Sequence, residues 1–418
     1  LVPLLVSGKR GLVSTATKSL QDQLYLRDLP RLVETLAVPV RMALLKGRAS
    51  YLCRHRLQQA RATAQLPDRF AVRALARVET WAQATRTGDM AEIEGLDERS
   101  PVIPLVTSTR DNCLGADCPE YRACHVVQAR REAMAADLVV VNHHLFFADM
   151  ALRDSGVAEL LPTVDVAIFD EAHQLVDAGV QFLGATLSTA QAIDLARDVL
   201  AVGLAQARGL GRWHDLATAL EKSTRELRLA CAGGTADIRG SRRVRWDDRL
   251  GGDDFHGALE ALQGAASEAA AGLSAVAEVG PDFPRLQQRA AELAAMVERF
   301  IRPAGNDHVR WIDISAQQAR LVESPLDIRE MLTEQRGSGS RAWIFTSATL
   351  GDDDRLTWFT ESTGLEDAVT LRVSSPFDYP RHARLWVPAS FPRPNDPGHS
   401  TAVGTLAASL AHAVGGRT

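Results

Sequence analysis

The stretch that most limits what this chain can become is residues 164–173, Val-Asp-Val-Ala-Ile-Phe-Asp-Glu-Ala-His. A short β-branched, apolar run of this kind reads as a strand buried on both faces of a parallel sheet. Its carboxyl end then carries two adjacent carboxylates, where open α/β sheets place their ligands. Residues 137–142 (Asp-Leu-Val-Val-Val-Asn) have the same character. Residues 11–15 (Gly-Leu-Val-Ser-Thr) lead into the helical pattern Lys18-Ser-Leu-Gln-Asp-Gln-Leu24, and strand character returns at 342–346 (Ala-Trp-Ile-Phe-Thr). This repeated strand-then-helix rhythm predicts an α/β fold around a parallel sheet.

The residues at the strand ends suggest nucleotide chemistry. Asp170 can hold Mg²⁺, directly or through water, and Glu171 can polarise the water that attacks a γ-phosphate. His173 is placed to sense the nucleotide. The competing reading is a strand that runs into an acidic helix N-terminus, which dipole electrostatics also favours. At the end of 342–346 lie Thr346, Ser347, Ala348 and Thr349, whose hydroxyls can bridge a nucleotide site and a nucleic-acid path. Such residues also make ordinary turns. Thr15, Thr17 and Lys18 precede a helix, where backbone N–H groups suit a phosphate. A plain N-capped helix has the same sequence. No G-x-x-x-x-G-K-[ST] phosphate loop occurs, and Ser7-Gly8-Lys9-Arg10 does not replace one.

Five cysteines are present. Cys113, Cys118 and Cys124 form a tight trio, and Cys53 lies well upstream. An odd number without a secretory signal favours ligation or burial over disulfides. Four thiolates suit either zinc or an iron–sulfur cluster, and the spacing lacks the paired C-x2-C knuckles common in zinc sites. His55 and His125 neighbour these cysteines, but four thiolates already suffice. Cys231 falls in a helical stretch and reads as an ordinary core or surface residue.

At 418 residues the chain is long enough for two to four packed units. Residues 1–7 read as the tail of a buried helix, and 54–100 as helical. From 180 to 310 the apolar steps alternate three and four, with a break at Gly280-Pro-Asp-Phe-Pro284, which predicts a helical hairpin inserted into the α/β domain. Residues 233–252 read as a long exposed loop, 392–397 as a surface loop and 403–414 as a helix. No apolar run is long enough to cross a membrane. The net charge of −5 argues mildly against nucleic acid. Local arginine clusters at Arg54/Arg56, Arg130/Arg131 and Arg239/Arg242/Arg243/Arg245 are either basic patches or solvated faces.

Taken together, Ser14-Thr-Ala-Thr-Lys18, Lys46-Gly-Arg-Ala-Ser-Tyr-Leu-Cys53, the cysteine trio, Val141-Asn-His-His-Leu145, Asp170-Glu-Ala-His173, Thr346-Ser-Ala-Thr349 and Ser374-Ser-Pro-Phe-Asp378 resemble the DinG/YoaA branch of the XPD-like superfamily 2 helicases. The resemblance covers nearly the whole chain. It implies a RecA-like first motor domain (1–50, 133–180 and 316–370) interrupted by an iron–sulfur domain at 51–132 and a helical arch at 181–315. A second motor domain begins at 371–418. It also implies a [4Fe–4S] cluster on Cys53, Cys113, Cys118 and Cys124, with ATP and Mg²⁺ as cofactors. Thr15, Thr17 and Lys18 become strand contacts, and Thr346, Ser347, Ala348 and Thr349 the coupling motif. The implied activity is 5′→3′ translocation on single-stranded or forked DNA in repair or replication, by a bacterial cytoplasmic, nucleoid-associated monomer with a possible repair or replication partner. In relatives a phosphate loop precedes the segment that starts here and an arginine finger follows it, so the stretch given is expected to be inactive alone. An exonuclease has no support in these residues. Two other readings remain: a zinc-stabilised nucleic-acid-binding scaffold with an inactive motor, and a partner-binding protein that docks through its helical hairpin.

Overall fold

The structure, a computed structural model, describes residues 1–415 apart from 64–65, 67, 98, 110–111, 155–159, 234–239, 251, 306 and 338. Arg239 of the arginine cluster, and much of the expected loop around it, therefore lies outside the described residues.

The apolar runs pair as read. β1 (Gly11–Thr15), β2 (Met42–Leu44), β3 (Leu138–Asn142), β4 (Val166–Asp170) and β9 (Ala342–Thr346) form one sheet in the order β2-β3-β1-β4-β9. Every pairing is parallel, with Ser14 level with both Val141 and Phe169, and Asp170 level with Thr346. The α/β expectation, with a parallel sheet of the RecA-like kind, is borne out. β1 and most of β3 and β4 are buried, as strands covered on both faces must be. On one face Phe169 stacks on Trp343 (5.5 Å) and Phe345 (5.0 Å), with Phe146 edge-on at 4.8 Å. The opposite face packs on Leu4, Leu5 and Leu29. A Cβ at Gly11 would lie 2.3 Å from Leu4 Cδ2, so a larger residue there would force the Leu4 side chain to shift.

Between β2 and β3 the chain builds a small separate core around Leu52, Leu57, Leu75, Val78, Ile93, Val102 and Val106. The helices Arg54–Thr63 and Arg69–Ala82 bear out part of the helical expectation for 54–100. After Ala82 the α-helix stops. Gly88 takes φ +70, and Thr85 Oγ1 accepts the Gly88 N–H, so side-chain hydrogen bonding and a left-handed glycine replace the helical ladder. Tyr51 and Leu52 then bridge to Asp89 and Thr107.

After β4 a second layer begins. Its helices Thr189–Gln206, Trp213–Ala232, Asp253–Ser274 and Asp282–Ile301 pack around Trp213, Leu220, Leu259, Phe283 and Phe300. Pro281 caps the last of these at the expected break. The all-helical expectation for 180–310 is corrected, because an antiparallel sheet lies against these helices. It consists of β5 (Ala185–Ser188), β6 (Ser241–Arg245), β7 (His308–Ser315) and β8 (Ala319–Pro325), in the order β5-β8-β7-β6. The exposed-loop reading of 233–252 likewise gives way to β6 and the short helix Asp247–Leu250. In β6 only Val244 is buried, so a strand with three exposed arginines carries almost no apolar signal.

Residues 369–418 form a separate unit. Its short helix Tyr379–His382 is capped by Asp378, and His399–Val414 extends the expected terminal helix by one turn at its start.

Candidate functional site

Three parallel strands deliver their carboxyl ends side by side, and the polar residues collect there. Asp170 closes β4 opposite Thr346 of β9, and Thr346 Oγ1 donates to Asp170 Oδ1 at 3.1 Å. The next residue, Glu171, takes φ +52, a left-handed conformation that is uncommon for a residue with a Cβ. Strain of this kind costs on the order of 1–3 kcal/mol and gathers at functional sites. The turn points the Glu171 carboxylate at Ser347 Oγ (3.3 Å) and His173 Nδ1 (3.2 Å). Ser347 Oγ and His173 Nδ1 are themselves 2.7 Å apart. Asp170, Glu171, His173, Thr346 and Ser347 thus form one hydrogen-bonded group at the sheet edge. Thr349 joins it through the main chain, its N–H reaching Ser347 Oγ at 3.4 Å, and Ala348 lies in that turn.

The segment after β1 has the geometry of a capped helix. Thr17 Oγ1 accepts the Leu20 N–H at 3.2 Å, and Thr15 Oγ1 donates to the Thr17 carbonyl at 3.3 Å. Thr15 is buried, whereas Thr17 and Lys18 are exposed.

The four cysteines lie near enough for their charges to act on one another. Burial raises the Cys53 thiol pKa, and the charges of Cys113 and Cys124 add to the rise. Cys118 is raised in the same way, first by burial and then by Cys53, Cys113 and Cys124. All four thiols are free. The Arg48 guanidinium donates to Cys113 Sγ at 2.8 Å, and half-buried Arg130 feels both Cys113 and Cys124. Among the described residues, no three His, Cys, Asp or Glu side chains close around a single metal ion. Cys231 is buried in the helical layer, as expected of a core residue. His125 is buried with neither ring nitrogen hydrogen-bonded.

Two buried polar groups were not singled out by sequence reasoning. Lys46 Nζ lies 2.7 Å from both Asp22, on the helix Lys18–Gln23, and Asp89, in the cysteine-bearing layer. Burial works to lower its pKa, but the bonds to Asp22 and Asp89 outweigh it and the pKa is raised. The second is His143, hydrogen-bonded to Ser14. The only hint of it in the sequence was its place in the Val141-Asn-His-His-Leu145 run.

No family model matches the chain. Among curated proteins it is similar to the ATP-dependent DNA helicase YoaA of Haemophilus influenzae, 36% identical over 100% of this chain and 64% of the relative. It is also similar to the ATP-dependent DNA helicase YoaA of Escherichia coli, 38% identical over 100% of this chain and 65% of the relative. The ATP-dependent helicase DinG of Mycobacterium tuberculosis is 33% identical over 97% of this chain and 62% of its own length. The chain therefore spans somewhat less than two thirds of the length of these relatives. The parallel sheet with the Asp-Glu-Ala-His turn at its edge thus accompanies, over the whole of this chain, a clear similarity to the YoaA and DinG helicases.

Proposed function

We propose that this chain carries the nucleotide-hydrolysing edge of an ATP-dependent DNA helicase that translocates 5′→3′ on single-stranded DNA during repair or replication. The observation that carries the reading is the hydrogen-bonded group of Asp170, Glu171, His173, Thr346 and Ser347 at the carboxyl ends of β4 and β9. Asp170 is the group that would hold Mg²⁺, and the bound ion would neutralise phosphate charge. Thr346 donates to the Asp170 carboxylate and so holds its oxygens in a fixed orientation. Glu171 orients the attacking water, and His173 with Ser347 fixes the Glu171 carboxylate. Thr15, Thr17 and Lys18, one strand away, contact the nucleic-acid backbone. The names of the relatives support ATP and DNA as ligands.

The four thiols fit an iron–sulfur cluster. They are free, soft donors within electrostatic reach of one another, and Arg48 is placed to stabilise the thiolate of Cys113. Bound there as [4Fe–4S], the cluster would supply a rigid cross-link between residues far apart in sequence.

The test uses the full-length protein purified without oxygen. The expected result is broad visible absorption, about four irons per chain, and Mg-ATP-dependent displacement of a strand from a duplex with a 5′ overhang. Displacement only from a 3′ overhang overturns the polarity. Colourless protein holding one zinc, with no displacement from either substrate, replaces this reading with the zinc-stabilised scaffold.

A further inference from the structure

β1 lies between β3 and β4, and Ser14 occupies the row shared with Val141 and Phe169. His143 starts the helix that follows β3 and is buried at 1% exposure. Its Nδ1 is 2.7 Å from Ser14 Oγ, and its ring centroid is 6.2 Å from that of Phe169. Burial pushes the imidazole down to about 4, while the main chain of Glu171 and Asp170 pulls the other way. Yet Nε2 is buried and closes no hydrogen bond. A neutral imidazole has one N–H and one acceptor nitrogen. If Nδ1 accepts from the Ser14 hydroxyl, Nε2 carries the hydrogen, buried beside Phe169, the residue that leads into the Asp170–Glu171 turn.

That turn is the strained element of the edge, with Glu171 at φ +52. His143 Nε2 is buried and one hydrogen bond short, and the main chain of that turn is the partner the proposal assigns to it. On its other side His143 is tied to Ser14, which is followed in the chain by Thr15, Thr17 and Lys18. Coupling between two sites needs an element with two arrangements that both sites bias. That part would fall to the strained Asp170–Glu171 turn, with His143 between it and Ser14.

We propose that His143 is a positioning residue. It links the main chain of the Asp170–Glu171 turn to Ser14, so that nucleotide at the carboxylates and a strand at Thr15–Lys18 influence each other. The inference rests on the nucleotide-motor reading above and assigns the link to this side chain.

The experiment compares His143→Gln, His143→Asn and Ser14→Ala in the full-length protein. It reads the ratio of single-strand-stimulated to basal ATP turnover, and the affinity for oligothymidylate with and without Mg-ADP. His143→Gln keeps an amide near the Nε2 position but loses the Ser14 acceptor, whereas His143→Asn keeps an acceptor near Nδ1. The ratio should fall about tenfold in His143→Gln and Ser14→Ala, less in His143→Asn, and the effect of Mg-ADP on strand affinity should shrink by the same factor. The double variant Ser14→Ala/His143→Gln should be no worse than either single one, because both cut one link. Ratios within about twofold of the parent in Ser14→Ala and both His143 variants, or losses that multiply in the double variant, overturn the proposal. So does a parallel fall in basal and stimulated rates that tracks a lowered melting temperature. If the full-length protein turns over no ATP, the motor reading fails. The link is then judged by imidazole ¹⁵N resonances of the chain described here, where an Nε2-protonated His143 is expected and an Nδ1-protonated ring contradicts it.

Discussion

Lys46→Met is the most informative perturbation of the scaffold. The Lys46 side chain is 3% exposed and reaches Asp22 and Asp89 at 2.7 Å each, while those carboxylates keep 29% and 15% exposure. Removing one member of a fully buried ion pair costs about 3–5 kcal/mol, because the other charge is left unpaired. The two aspartates retain some water, so the expected loss is lower, about 2–4 kcal/mol. In urea unfolding followed by circular dichroism, with a slope of about 2–3 kcal/mol per molar, the midpoint should drop by about 1 M. Lys46→Met/Asp22→Asn/Asp89→Asn should recover most of the loss at neutral pH. The Lys46 pKa is raised in the fold, so its contribution is complete below the usual lysine value and disappears as pH rises through the folded one. Tyr51, pushed up to about 12 by burial, adds to that alkaline loss, because the unfolded chain releases the phenol proton first as pH rises. A loss below about 1 kcal/mol in Lys46→Met, or one that does not change with pH, would refute the reasoning.

Two more predictions follow from buried contacts. His143 has a folded pKa of about 4 against about 6.5 unfolded, so the unfolded chain binds its proton first as pH falls. About 3 kcal/mol should be lost between those values, and a pH series of unfolding curves should show that slope disappear in His143→Gln. Gly203 faces Trp213, and a Cβ there would lie 2.3 Å from Trp213 Cδ2. Gly203→Ala should therefore cost about 1–3 kcal/mol by overpacking, read as a lower melting temperature, despite the better helix propensity of alanine.

The parallel strands were legible because burial on both faces demands an unbroken apolar run, as in the Leu138–Asn142 strand. The position of Asp170 and Glu171 at the sheet edge was legible because the apolar run of their strand ends at Phe169. β6 was not, since its only buried side chain is Val244 and its partners lie in β7, far along the chain. The turn after Ala82 was hidden by helix-forming residues that Gly88 and Thr85 overrule. Lys46 and His143 could not be recognised from local pattern, because each takes its role from partners distant in sequence. Hydroxyls near Lys18 suggested phosphate contact, and the fold commits Thr17 to a helix cap while leaving Lys18 exposed.

The carboxylate beside Ser347 and His173 is the group on which the proposed hydrolysis depends. Steady-state Mg-ATP hydrolysis by full-length Glu171→Gln, with saturating single-stranded DNA, tests it most directly. Turnover should drop by at least about 10²-fold, in the range expected for losing a positioned general base, while oligothymidylate still binds. Hydrolysis at the parent rate in that variant would contradict the assignment.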